Sequence, residues 1–253
     1  MHNMMMRRSH RSRWRAVTDL CSALCYSLGV AVIGHAVVQA QDPANGADLS
    51  GVYVGEEGYE QPQRYPFTAE GQRKQVSHDP FAGNPSQWDC IPEVMPQLIL
   101  WPTTVMDITH EDGSIVMTVE RGATVRTIRL DGSLPLADQP HTELGYSVGH
   151  WSGEELIIET THLLGGVLYA EEGGPVSREA RTTERYWRNP GERNLHMELL
   201  IDDPVNYMGP VVVEREWIWS PQEQVHPYNC FSLELGESGP ADMEDLKRRL
   251  EQF

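Results

Sequence analysis

Apolar and polar residues alternate with a period of two along most of the chain from Leu98 onward. That period puts successive side chains on opposite faces of a strand. It predicts strands over residues 98–110, 114–121, 123–130, 145–151, 155–163, 181–188, 194–202, 210–219 and 228–235. The breaks between them are turn chemistry: Glu111-Asp112-Gly113, Arg121-Gly122, Asp131-Gly132, Ser152-Gly153-Glu154 and Asn189-Pro190-Gly191. Short connections between successive strands predict antiparallel neighbours. So many strands in one domain need either a sandwich or a closed barrel. Closure removes edges, and no Greek-key excursion interrupts the hairpin rhythm. The expected fold is all-β, an antiparallel up-and-down β-barrel.

The flanks depart from this period. Residues 49–54 read as a first short strand, and residues 55–66 as a loop rich in Glu, Gln, Gly and Pro. Residues 67–76 read as a short helix with Thr68 as N-cap. Residues 77–96 contain Pro80, Pro85, Pro92 and Pro96, follow neither period and read as a strap. Over residues 241–253, Met243, Leu246 and Leu250 recur at helical spacing. Asp242, Glu244 and Asp245 come early there and Lys247, Arg248 and Arg249 late, an order that complements a helix dipole.

Residues 1–40 read as an export signal. Arg7, Arg8, Arg11, Arg13 and Arg15 precede an apolar stretch, and Val38-Gln39-Ala40 offers a small-residue cleavage site. An uncleaved anchor is the alternative, although Asp19 and His35 make a poor membrane span. The expected organisation is a signal peptide (1–40), an N-terminal strand, helix and strap (41–97), a barrel (98–236) and a helical tail (237–253). Removing residues 1–40 takes away five arginines and one aspartate and moves the net charge from −17 to −21. So acidic a surface repels phosphate backbones and anionic lipid, which argues against nucleic acid and stable membrane insertion after cleavage. Only Cys90 and Cys230 then remain. In an oxidising compartment they are expected to form one disulfide, the alternative being two buried thiols. Neither has a Cys or His neighbour at metal-ligand spacing, so no metal is expected.

A series of local signatures runs through the chain: Cys90-Ile91-Pro92 with Met95-Pro96, then Arg126-Thr127-Ile128-Arg129-Leu130-Asp131-Gly132. Gly145-Tyr146-Ser147-Val148-Gly149-His150-Trp151-Ser152-Gly153 follows and leads into Leu156-Ile157-Ile158-Glu159-Thr160. Glu184-Arg185-Tyr186 and Asp203-Pro204 with Tyr207 and Pro210 complete the series. In this order they resemble a large family of exported bacterial β-rich proteins, most of them uncharacterised. Ser152 departs from the acidic residue usual there. The resemblance implies an exported β domain and assigns no catalytic residue. The hairpin around Ser152-Gly153-Glu154 is similar to those of lipocalin and fatty-acid-binding barrels, which implies a lipocalin-like (calycin) form.

Gly145-Tyr146-Ser147-Val148-Gly149 also fits the G-x-S-x-G pattern of a nucleophile elbow. The elbow needs a helix after the serine, and here a turn and another strand follow. Small residues allowing close approach of strands are the plainer reading. Asp202-Asp203-Pro204 pairs carboxylates, but neighbours in a strand face opposite ways and a turn before proline is the ordinary use. No two of the histidines from His78 onward lie two or four residues apart, so no strand or helical turn prearranges a metal pair.

The strand period also assigns faces. Arg126 falls with Ile128 and Leu130, Arg185 with Trp187, and Arg215 with Val211, Val213, Trp217 and Trp219. His162 falls with Leu156 and Ile158, and His110 with Met106 and Ile108. Glu120, Glu159, Glu184, Glu198, Asp202, Glu214 and Glu216 take the other parity. The expected interior is therefore apolar with cationic groups, suited to a small lipophilic or aromatic anion gripped by arginine. Slippage of a strand by one residue reverses its faces.

The expected function is small-molecule binding in a barrel cavity, with Arg126, Arg185, Arg215, Trp217 and Tyr207 as ligand residues and no cofactor. An enzyme using the same cavity is a second class: a lyase, isomerase or hydrolase. His162 or His110 would then transfer protons and the arginines would stabilise negative charge. A structural envelope protein with a filled interior is the third.

Overall fold

A computed structural model describes residues 47–56, 65–79, 93–169 and 172–228. The expected signal peptide, Cys90, Cys230, the strand over 228–235 and the C-terminal helix lie outside these residues, apart from Tyr228 itself. Among the described residues, nine strands close into a barrel. In chain order its strands are β1 (Gly51–Gly55), β2 (Val105–Glu111), β3 (Ser114–Val119), β4 (Thr124–Arg129), β5 (Tyr146–Ser152) and β6 (Glu155–Thr161). A separate hairpin, β7 (Gly166–Tyr169) and β8 (Gly173–Val176), follows, and β9 (Arg181–Trp187), β10 (Leu195–Asp202) and β11 (Val211–Trp219) complete the barrel. The order around it is β1-β11-β10-β9-β6-β5-β4-β3-β2.

Every neighbouring pair in the barrel is antiparallel except β4 with β5, where Ile128 faces Ser147 and Arg129 faces Val148 in parallel. Strand direction can alternate strictly around a closed ring only when the number of strands is even. Nine strands therefore require a parallel pair, and the connection over residues 130–145 supplies it by carrying the chain back to the end where β4 began. Gly149 lets β5 approach β4. A Cβ there would lie 2.7 Å from Ile128 Cγ2. The second glycine of the G-x-S-x-G pattern thus serves strand packing.

Alternation matches burial in most strands. Met106 and Ile108, Ile115 and Met117, Leu156 and Ile158, Leu195, Met197, Leu199 and Ile201, with Trp217, are all 0% exposed and belong to one core cluster. Side chains with no accessible surface leave no room for even a water-sized probe beside them. At these described positions the side chains are packed with no accessible surface.

Among the described residues, two α-helices accompany the strands. In α1 (Ala69–Val76), Thr68 is the N-cap and accepts from Gly71 N at 3.0 Å. The Thr68 hydroxyl also donates to Val205 O at 2.7 Å, which ties the helix to the segment after β10. The first part of the expected strand 98–110 is instead a helical turn, α2 (Gln97–Leu100), buried along its length. Pro96 and Pro102 bracket this apolar run, and the strand begins only at Val105. The β7–β8 hairpin, which the period did not reveal, packs between α1 and α2.

Candidate functional site: a buried polar centre and an end cleft

Two groups of polar side chains stand out. The first is inside the barrel. Arg126 on β4 is 2% exposed and Glu184 on β9 is 0% exposed. They meet through two hydrogen bonds, Nη1 to Oε2 at 2.8 Å and Nη2 to Oε1 at 2.6 Å. Arg126 also donates to Ser147 Oγ on β5, from Nε at 3.2 Å and Nη2 at 3.1 Å, and from Nη2 to Thr160 Oγ1 on β6 at 2.8 Å. Tyr186 donates its hydroxyl to Glu184 Oε2 at 3.0 Å. Burial alone would pull the Arg126 guanidinium down, but the facing Glu184 carboxylate overcomes this and leaves it raised. Burial, then the charge of Glu184, pushes the Tyr186 phenol well above its ordinary value.

This centre corrects several expectations. Arg126 does point inward, but its donors already serve Glu184, Ser147 and Thr160. Ser147 is a sealed acceptor for that guanidinium, which ends the nucleophile reading. Arg185 faces outward: its side chain is 39% exposed and pairs with Glu155 at 3.3 Å and Glu198 at 3.6 Å. The β9 sequence offers one aromatic residue on each face, Tyr186 and Trp187. Pairing decides between them, because Glu184 stands opposite Ile158 and Leu199, and Tyr186 opposite Leu156 and Met197. Trp187 instead stacks on His196 outside, with ring centroids 5.5 Å apart.

The other expected ligand residues are also engaged in the protein. Arg215 is buried and donates to the carbonyls of Ile99 at 3.3 Å and Trp101 at 2.6 Å, at the end of α2 where helix carbonyls lack partners. Trp217 is core, and the Arg215 guanidinium lies 4.8 Å from its ring centroid. Tyr207 is outside the barrel, stacked on Phe67 at 5.4 Å beside α1. The neighbouring Asp203 accepts from Ser177 N at 2.8 Å, Ser177 Oγ at 2.7 Å and Asn206 Nδ2 at 2.7 Å, which fixes the turn predicted before Pro204.

The second group lies in an open cleft of about 370 Å³ at one end of the barrel, where β6 ends, β9 begins and β10 ends. It is lined by His141, Thr161, His162, Arg178, Glu179, Ala180, Arg181, Asp202 and Pro204. The two imidazole rings are 5.3 Å apart. His162 just after β6 has φ +58°, a left-handed conformation that non-glycine residues rarely adopt. The turn breaks the strand alternation, and His162 lines the cleft. It is fixed on its far side by Thr142, whose N–H donates to His162 O at 3.0 Å and whose carbonyl accepts from Leu164 N at 2.9 Å. His141 Nδ1 lies 2.7 Å from Leu163 O. A carbonyl only accepts, so Nδ1 holds the proton and Nε2 is the ring's acceptor. Neither Arg178 nor Arg181 has a carboxylate ion pair among the described residues.

No protein-family model matches the chain, and no curated protein matches it. Among solved structures, a REP1-NXSQ fatty acid transporter is similar, with a TM-score of 0.35 and 14% identity over 68% of this chain and 96% of that one. A likeness at that level decides nothing about a site.

His110 lies at the other end of the barrel, next to the β2–β3 turn, with its ring 6.0 Å from Trp151. It cannot share a site with His162. Among the described residues no group of three or more His, Cys, Asp or Glu is arranged to hold a metal ion. Sequence reasoning named His162 but missed His141, Arg178 and Arg181. His141 and Arg178 lie in connections, where strand parity gives no signal, and Arg181 opens β9, whose faces the sequence reading reversed.

Proposed function

We propose that this chain is an exported β-barrel protein that binds a small, partly apolar organic anion in the cleft at the barrel end. One observation carries the reading: Arg178 and Arg181, without ion pairs among the described residues, share an open cleft with two imidazoles, while the arginines inside the barrel are engaged. Cleft size supports a small molecule. Arginine is suited to a carboxylate, and Ala180 and Pro204 add apolar surface. The basic and apolar pattern of residues 1–40 supports export, which would leave a secreted chain starting at Gln41 by mass spectrometry.

The binding test is calorimetry with 1-naphthoate and its neutral counterpart 1-naphthylmethanol. Arg178→Gln or Arg181→Gln should weaken naphthoate by about 1.5–3 kcal/mol, the range for a charged hydrogen bond, and leave the alcohol nearly unchanged. Equal effects on both probes, or none, would remove the site. The packed core cluster supports a second reading, a structural envelope protein without a small ligand, and that reading would stand if neither probe bound.

A further inference from the structure

The arginines of the end cleft do not stand alone. The charged and titratable groups around it come from every element that forms it. The connection over residues 130–145 brings His141, the exit from β6 brings His162, the turn before β9 brings Arg178 and Glu179, β9 brings Arg181, and β10 brings Asp202. Two guanidinium groups and two carboxylates cancel, so with neutral imidazoles the lining has no net charge. Arg181 and Asp202 are directly opposed across β9 and β10.

The groups in this lining that can gain positive charge by taking up a proton are the two imidazoles. His141 can take a second proton at Nε2, because Nδ1 is committed to Leu163 O. His162 keeps Nδ1 near Thr161 Oγ1 at 2.9 Å. Protonation of both gives two positive rings 5.3 Å apart. They repel each other, and an anion bound beside them relieves that repulsion. The backbone bonds of Thr142 to His162 and Leu164 fix the turn that carries the His162 side chain.

We infer that anion binding at this cleft is coupled to proton uptake by His141 and His162, so that the site takes up its ligand in acid and releases it as pH rises. The inference rests on the binding reading above and adds its regulation. The sign follows from linkage. An anion that favours the protonated rings raises their proton affinity, and protons raise the affinity for the anion by the same factor.

The test is titration calorimetry with 1-naphthoate, ionised throughout the range, at fixed ionic strength. Binding should be about tenfold tighter near pH 5.5 than near pH 8, with net proton uptake when buffers of different ionisation enthalpy are compared. His141→Gln and His162→Gln should each cut that ratio to about threefold. Arg181→Gln should weaken binding at every pH and keep the ratio. If a glutamine variant fails to fold, proton NMR of the wild-type histidines serves instead: two imidazole titrations should move to higher pH on adding naphthoate. Arginine-dependent binding with a flat pH profile, or with no histidine titration moving, would overturn the inference and leave the binding reading intact. No binding at any pH, or binding indifferent to both arginines, would overturn both.

Discussion

Replacing Glu184 by leucine tests the reading of the barrel centre as a structural ion pair. The change removes the carboxylate but leaves the Arg126 guanidinium almost fully buried, with only the neutral hydroxyls of Ser147 and Thr160 as acceptors. Two hydrogen bonds of charged type are lost, at 2.8 and 2.6 Å. At about 1.5–3 kcal/mol each they set a scale of about 3–6 kcal/mol. Removing one member of a buried ion pair typically costs about 3–5 kcal/mol, in agreement. That is a large share of a domain stability of about 5–15 kcal/mol. The Arg126→Met, Glu184→Leu double variant in a Tyr186→Phe background should return most of the loss, because no charge or phenol is then left unpartnered. Urea unfolding followed by tryptophan fluorescence measures all three changes. The single loss should be nearly the same at low and high salt, since a sealed pair is screened little. A loss below about 1 kcal/mol for Glu184→Leu, or additive single and double effects, would refute the argument.

Two further outcomes can be checked by the same unfolding assay. Gly71→Ala should destabilise by about 1–3 kcal/mol, because a Cβ there would lie 2.1 Å from the backbone oxygen of Asn206 and α1 would have to lift from that segment; an unchanged midpoint would show that the helix is not docked there. His110 is held below the ordinary imidazole range by burial, with the Asp48 carboxylate opposing and Arg188 reinforcing, so the unfolded chain takes up this proton more readily. Its contribution is complete above the ordinary imidazole value and is lost as pH falls through the lower folded one, so His110→Gln should flatten the decline in stability between about pH 7 and pH 5, and an unchanged slope would rule this out.

The barrel was readable in the sequence because a closed sheet imposes its period on every strand. Strand β10, with Leu195, Met197, Leu199 and Ile201 inward and His196 outward, reads as written. Strand β9 does not, because Tyr186 and Trp187 give its two faces similar apolar weight and only the partners Leu156 and Met197 settle which is inside. That one ambiguity moved Glu184 outward and Arg185 inward in the reading, and so hid the ion pair. The same signature residues were noticed as separate motifs. Their common purpose appears once Arg126, Ser147, Thr160 and Glu184 are seen to come from four strands. The β7–β8 hairpin was missed because Gly173-Gly174-Pro175-Val176 carries turn chemistry where a strand is formed.

The end cleft follows from the parity of the strand count. With nine strands, one connection must run the length of the wall, and the chain does this over residues 130–145. At its return it pairs Thr142 with Leu163 as an isolated parallel bridge. That bridge places His141 beside the left-handed His162 and gives its Nδ1 a carbonyl to hold. A strictly alternating barrel of eight or ten strands would need no such crossing and could join β4 to β5 by a short turn. The two imidazoles would then have no reason to meet. With a polar cleft at the barrel end and a sealed ion pair inside the barrel, the residues proposed to bind are distinct from those that hold the fold. Substitutions at His141, Arg178 and Arg181 should therefore change ligand affinity with little effect on the urea midpoint, whereas those at Arg126 and Glu184 should do the reverse. If the cleft substitutions unfolded the barrel as readily as the core ones, this division of labour would be wrong, and the histidine pair would be part of the scaffold.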